Sequence, residues 1–368
     1  MKKFLKFLLK FVLILILAVV VIAGGYFAYL MISYHRIEDH LKLEVDKKTS
    51  FVVSAEVGEE YKILSYNVGF GAYESDYDFF MDGGRQSWAW SKERLNANLE
   101  NIIKVISGED AEFLLIQEVD LDSTRSYHVN EAEMLKNALP GYGMTVAQNY
   151  DSPFLFYPFY QPHGASKSAL LTGTGFTISD AERISLPVET SLYKLLDLDR
   201  CFSVHRLPLK DQNGKELVLV NFHLSAYTSD GKISDEQAAI LKDFMQEEYK
   251  KGNYVIAGGD FNKDLTGNAT ADFGTLDNKD YSWAKPFPKE ILEGSGISLV
   301  VPYDPVLKVP SCRNPNAAWT HDNATQFVIT VDGFLVSDNV EVKTCEVVNT
   351  DFAYSDHNPV RMTFELKE

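Results

Sequence analysis

Six stretches of this 368-residue chain run from a hydrophobic segment into a side chain that can hold a metal ion or move a proton. Asn67 closes YKILSYN, Glu118 follows FLLIQ, and His223 follows LVLVNF. Asp260 and Asn262 stand in VIAGGDFN, Asp332 in VITVDGFLVS, and Asp356 with His357 in YSDHNPV. Carboxylates and amides are hard oxygen ligands, suited to Mg²⁺, Mn²⁺ or Ca²⁺ rather than zinc. The chain has no HExxH and no Cys/His cluster to argue for zinc. Strand ends that converge on one rim are where α/β folds place their sites.

Each residue alone has an ordinary reading. Asn67 suits a turn, Glu118 a helix cap, and His223 a core position; Asp332 before Gly333 suits another turn. The set says more. SYN, QEV, NFHLS, GGDFN, VDGFLVS and SDHNPV, in that order over residues 61–366, resemble the endonuclease/exonuclease/phosphatase superfamily. That group includes pancreatic-type deoxyribonucleases, abasic-site endonucleases, inositol-polyphosphate 5-phosphatases and neutral sphingomyelinases. This chain looks like a membrane-anchored bacterial-type member.

The resemblance implies a four-layer α/β sandwich, with two facing mixed sheets and helices outside. It implies metal-dependent phosphoester hydrolysis, with Mg²⁺ as cofactor and Mn²⁺ as a substitute. Glu118 resembles the main metal ligand, Asn67 its support, and Asp356 a further member of the metal shell. Asp260 resembles the aspartate that orients or deprotonates the attacking water. Asn262 would hydrogen-bond the phosphate. His357 would contact phosphate while Asp332 accepts its other ring N–H and fixes the tautomer. His223 resembles a second phosphate-side histidine. Arg200, in DRCFSVHRL, matches a phosphate-facing arginine, although a surface ion pair explains it equally well. Lys167 reads as a solvated strand-edge lysine.

The elements that must carry these groups follow from the hydrophobic period. Strands are expected at Tyr61–Val68, Phe113–Ile116, Gly143–Ala147, Ser168–Thr172, Phe176–Ile184, Cys201–Leu209 and Glu216–Leu224. Others are expected at Tyr254–Ala257, Phe327–Ser337, Glu341–Val348 and Pro359–Leu366. Helical spacing covers Lys92–Ile106, Asn130–Leu139 and Ser234–Tyr249. Thr266–Pro310, rich in Gly, Asp, Asn and Pro, reads as irregular. Hairpins mix with helical crossovers, so the sheets should be mixed.

Phe11–Ile32 is 22 residues without a charge, preceded by four lysines. A helix of that length rises about 33 Å, enough to cross a hydrocarbon core of roughly 30 Å. The lysines keep the N-terminus cytoplasmic and place the body outside. A cleaved signal peptide ending near Val21 and Ala23 is the alternative. The expected organisation is a basic N-terminus (1–10), a transmembrane helix or uncleaved signal anchor (11–32), a stalk (33–60) and one catalytic domain (61–368). Cys201, Cys312 and Cys345 match no disulfide framework and read as free thiols.

The chain holds 35 basic and 52 acidic residues, a net of −17; without the first 46 residues, which carry six basic and four acidic groups, the net is −19. An acidic body disfavours long nucleic acid, whose backbone is held by Lys and Arg. The expected substrate is therefore a small phosphodiester or a phospholipid headgroup, taken by a monomer at the outer membrane face. A surface deoxyribonuclease is the alternative enzyme, and a non-catalytic binding module is the alternative of another class. Three loops keep a functional and a structural reading each. The stretch around Asp82–Trp90 rims the site, touches lipid headgroups, or is anchored by its aromatics. Ser123–Asn130 supplies Arg125 or His128 to substrate, or caps a helix. Tyr150–Tyr160 crosses the site mouth or packs in the core.

Overall fold

The computed structural model describes residues 1–46, 54–190, 194, 199–226, 232–277, 281 and 283–368. The first element is a helix, α1 (Lys2–Ser33), with no buried residue. It is long and apolar enough to cross a membrane and is exposed along its length, as a signal or anchor would be.

Two sheets follow. The first runs β1 (Leu41–Lys42), β6 (Asp180–Ser185), β7 (Cys201–Pro208), β8 (Glu216–His223), β9 (Tyr254–Asp260), β13 (Asp332–Ser337) and β10 (Ile297–Val300). The second runs β14 (Val340–Val347), β15 (Val360–Leu366), β2 (Glu60–Asn67), β3 (Phe113–Asp120), β5 (Gly164–Thr174) and β4 (Gly143–Leu155). A small ribbon pairs β11 (Cys312–Arg313) with β12 (Val328–Ile329). Both sheets are mixed. β2 with β3, and β8 with β9, are parallel, while the other strand pairs within the two sheets are antiparallel.

Each parallel pair needs a crossover, and a helix supplies it. α2 (Lys92–Glu109) joins β2 to β3, and α4 (Lys232–Lys250) joins β8 to β9. Ser91 caps α2 by accepting from the Arg94 N–H, and Asp110 stops it in the left-handed region at φ 48°. Asn130 caps α3 (Glu131–Ala138) in the same way, accepting from Glu133 N–H.

Strand alternation sorts most apolar residues of the two sheets into the three largest clusters among the described residues, with smaller ones around Phe327 and Ala147. Ile63, Phe113 and Leu115 meet Leu219, Ile256 and Phe334 between the sheets. Leu64, Leu114 and Ile116 face outward onto Leu95, Leu99, Ile102 and Ile106 of α2. Val218, Val220, Val255 and Ala257 face Ala238, Leu241 and Met245 of α4. The result is the expected four layers, helix–sheet–sheet–helix.

Several expectations of local structure change. The single strand expected over Phe327–Ser337 divides between β12 of the ribbon and β13 of the first sheet. Ile297–Val300, inside the region read as irregular, is an edge strand paired with β13. Its four residues are too few to show a period against the surrounding Gly and Pro. The strand expected from Phe176 begins only at Asp180. The described part of the stalk lies on the domain: β1 pairs with β6, Asp46 bridges to Met144, and Ala55 bridges to Leu209. Residues 47–53 of that stretch lie outside the described residues. All three cysteines are free, as expected.

Candidate functional site

Parallel strands end on the same side, so the crossovers bring Asn67, Glu118, His223 and Asp260 to one rim of the sandwich. In the first sheet the register sets the row. His223 pairs with Asp260 on β9, and Asp260 pairs with Asp332 on β13.

Glu118 is presented by a bulge. The β3–β5 register shifts between Ile116 and Val119, and Glu118 sits at φ 56°. A non-glycine residue there costs about 1–2 kcal/mol, which the surrounding strands must offset. The bulge leaves Gln117 facing the opposite sheet, where it donates to Asn221 Oδ1 at 2.8 Å, and frees Glu118 for the rim. The glycines of GGD have a related purpose. A Cβ on Gly258 would lie 2.6 Å from the Phe334 ring, and one on Gly259 (φ 156°) would lie 2.0 Å from Phe222 O. Only glycine lets β9 come this close to its neighbours just before Asp260.

The side chains form one connected group. Asn67 Nδ2 donates to Glu118 Oε1 and to Asp260 Oδ2, each at 3.1 Å. His223 Nε2 is 3.4 Å and His357 Nε2 is 3.7 Å from that same Asp260 oxygen. His357 Nδ1 lies 2.8 Å from Asp332 Oδ2, which also accepts from Ser311 Oγ at 2.7 Å. Asn262 (φ 49°) donates its backbone N–H to Asp260 Oδ1 at 2.8 Å and a side-chain N–H to Leu224 O at 2.8 Å. Glu118, Arg200, His223, Asp260, Asn262, Asp356 and His357 all line two adjoining cavities. Asn67 and Asp332 lie just behind them, buried.

The electrostatics follow from burial. Desolvation pushes Asp260 up to about 7, against the opposing pull of His357. It pushes Asp356 up to about 6. Burial is the largest influence on His357 and disfavours its charge, but Asp332 and Cys312 together outweigh it and hold the imidazole well above its ordinary value. His223 falls well below its ordinary value, because burial is joined by repulsion from Arg200 and His357. The two histidines are therefore pushed in opposite directions.

A cation fits this rim. The ligand atoms of Asp260, Asp332 and His357 lie within 4.8 Å of one another, a group that could bind a divalent metal and that contains none of the expected ligands Glu118, Asn67 and Asp356. Asp332 Oδ1 and His223 Nδ1 are buried without a hydrogen-bond partner. Oxygen donors dominate the set, as Mg²⁺ or Mn²⁺ prefers.

The chain matches the Endonuclease/Exonuclease/phosphatase family over residues 64–357. It belongs to that family. Members are metal-dependent phosphoester hydrolases, and this chain is one of them. Solved structures with the same fold include an endonuclease/exonuclease/phosphatase from Beutenbergia cavernae (15% identity, 84% of this chain and 72% of that one, TM-score 0.54). Another is from Bacteroides vulgatus (16%, 84% and 100%, TM-score 0.52). A third is ANGEL2, a 2′,3′-cyclic phosphatase, in complex with adenosine-2′,3′-vanadate (16%, 89% and 99%, TM-score 0.53). No curated protein matches the chain by sequence.

Several residues of this family member's site were not singled out from sequence. Ser311 holds Asp332, and Ser355 donates to Asn67 O at 2.8 Å and contacts Asp356 Oδ1 at 3.3 Å. Arg313, fully buried, lines the cavity beside Asp356 and His357. Serines in loops carry no period, but Ser355 could have been found from its place inside SDHNPV. Of the two readings of Ser123–Asn130, the helix cap is the one the structure shows. Arg125 lines the cavity, bound to Asp120 at 2.9 and 3.0 Å, while Asn130 caps α3 and His128 is exposed. In the Asp82–Trp90 stretch, Trp88 is an anchor, donating to Pro162 O at 2.8 Å, whereas Asp82 lines the cavity. Lys167 is exposed, as expected, but β5 is not an edge strand: it lies between β3 and β4.

Proposed function

We propose that this chain is a membrane-anchored, extracytoplasmic phosphoesterase that hydrolyses a small phosphodiester or a phospholipid headgroup. The observation that carries this reading is the convergence of Glu118, Asn67, His223, Asp260 and the His357–Asp332 pair on one rim. Glu118 and Asp356, supported by Asn67, would hold Mg²⁺ or Mn²⁺. Such an ion polarises a phosphoryl oxygen and neutralises charge on the leaving oxygen.

The protein groups do the remaining work. Asp260 Oδ2, steadied by Asn67, orients the attacking water and receives its proton. His357 donates to a phosphoryl oxygen through Nε2, because Asp332 holds the Nδ1 proton. His223, Arg200 and Asn262, which line the same cavity as His357, would also meet the phosphate. The helix α1 anchors the enzyme, with the four N-terminal lysines inside and residues 61–368 outside as the catalytic domain. The acidic balance of the body supports a small or lipid substrate over long nucleic acid.

The test is an assay of the full chain in detergent on bis-p-nitrophenyl phosphate, sphingomyelin vesicles and plasmid DNA. Hydrolysis should need Mg²⁺ or Mn²⁺, stop with EDTA, and fail in Glu118→Ala and His357→Ala. Plasmid nicking without lipid cleavage would sink the lipid reading. Equal inactivity of wild type and both variants on every ester would sink the catalytic one.

A further inference from the structure

The loop after β4 is the most exposed apolar feature of the domain outside α1. Residues 152–162 carry no charge. Within them Phe156, Tyr157, Phe159 and Tyr160 are 49%, 64%, 84% and 69% exposed. Four neighbouring aromatics in water are unusual on a folded surface and mark a contact site.

Two connections say what that contact is. The first is to α1. Tyr26 Oη accepts from Phe156 N–H at 3.1 Å and donates to Phe154 O at 3.2 Å; Tyr29 Oη accepts from Phe154 N–H at 3.0 Å. The Tyr26 and Phe156 rings meet edge to face at 5.2 Å. The loop is thus pinned to the C-terminal end of an apolar helix, where tyrosines mark the membrane–water boundary. The second connection is to the catalytic cavity. Tyr157 packs on Phe80 at 5.8 Å, and Phe80 packs on Phe79 at 4.9 Å and on His163 at 5.7 Å. Phe79 and His163 line the same cavity as Glu118, Arg200 and His223.

We infer that the Phe156–Tyr160 loop seats in the outer leaflet of the membrane that α1 spans, and that the enzyme takes an amphiphilic phosphoester from that leaflet. This rests on the proposed anchored phosphoesterase. Aromatic side chains suit the headgroup boundary because one end is apolar and the other wet. With helix and loop both seated, the aromatic path from Tyr157 to Phe79 leads from the leaflet surface to the metal-binding rim. A headgroup can reach Glu118 and His223 while its acyl chains stay near the bilayer.

Phe159 reports on this directly. Its ring touches only Tyr157 among the aromatic contacts of the described residues, so substitution spares the core. The full chain carrying Phe159→Trp is reconstituted in phosphatidylcholine vesicles with brominated or unbrominated acyl chains. The emission gained over wild type should be quenched about twofold by the brominated lipid if the loop is seated in the boundary region. Equal emission in both vesicles overturns the seating, and self-association of the chain would then explain the exposed aromatics. In a second arm, Phe159→Asp should lose about tenfold on sphingomyelin or phosphatidylcholine vesicles and stay within about twofold on bis-p-nitrophenyl phosphate, because a charge there opposes insertion. Equal losses on both, or wild-type hydrolysis of the soluble ester alone, overturn the leaflet substrate. If wild type hydrolyses nothing, the phosphoesterase reading itself has failed, while the quenching result still decides the seating.

Discussion

His223 Nε2 stands 3.4 Å from Asp260 Oδ2 because the two are register partners on the parallel strands β8 and β9. Asp332 is the partner of Asp260 on the other side, so one row across a sheet supplies a histidine and two carboxylates. A slip of one residue would turn any member of that row to the opposite face. The core residues fix the register: Leu219 and Ile256 must face the other sheet, and Val218 and Val255 must face α4.

Asp260→Asn keeps the shape of the row and removes its central base. Hydrolysis of bis-p-nitrophenyl phosphate should fall roughly 10²–10⁴-fold. The melting temperature should change little: the amide oxygen still accepts from Asn262 N–H, and relief of the buried carboxylate's desolvation offsets the lost acceptor for Asn67 Nδ2. Loss of activity together with collapse of the melt would assign Asp260 to structure instead.

Asp332→Asn acts through His357. The charge that holds the Nδ1 proton is lost, while Ser311 keeps an oxygen to bind. We expect kcat to drop about 10–100-fold with KM little changed, as for other partners that orient a catalytic histidine. A change confined to KM would show that Asp332 shapes binding rather than the imidazole.

Glu248 makes a pH-dependent clamp. Burial acts to raise its pKa, but Arg206, Lys251 and Asn253 outweigh this and hold it near about 2. Arg206 grips it at 2.8 and 3.0 Å, and Asn253 donates at 2.7 Å. A depressed carboxylate stabilises the fold fully above its unfolded value and loses that stabilisation as pH falls toward the folded one. Glu248→Gln should therefore cost about 1–3 kcal/mol at neutral pH. The gap between the two melting temperatures should narrow from pH 5 toward pH 3, on the order of the range between the two pKa values. A constant gap would exclude the charge as its source.

Arg36 ties the membrane-side segment to the domain. It lies 3.4 Å from Asp199, whose carboxylate is fully buried and also accepts from Ile37 N–H at 2.8 Å. Asp199 sits at φ 59° immediately before Arg200. Arg36→Ala removes the cation beside a buried acid, and should destabilise the chain by about 1–3 kcal/mol. KM for bis-p-nitrophenyl phosphate should rise as Arg200 loosens. Unchanged melting and kinetics would return this segment to the role of a free stalk.

The helices and most strands were legible because each shows one face to a core. Leu95, Leu99, Ile102 and Ile106 repeat at helical spacing, and Ile63, Leu64, Leu114 and Leu115 alternate along strands. The site residues were legible for a related reason: each stands where an apolar run stops. What escaped was local and aperiodic. Ser311, Ser355 and Arg313 lie in loops or a two-residue strand, and the edge strand Ile297–Val300 is too short to declare itself.

Sequence alone determined the fold class, the reaction class and the residues whose motifs meet at the rim, because short motifs and hydrophobic periods are properties of neighbouring positions. Tertiary structure decided what distant positions do together. Only folding shows that His357 is bound to Asp332 and His223 is not, which pushes two like residues in opposite directions. Only folding shows that the polar stretch after α1 is clamped to Asp199, and that the loop Phe156–Tyr160 hangs between the helix end and the cavity. These relations join residues distant in the chain, or set burial against neighbouring charges. Both quantities exist only once the chain has closed on itself.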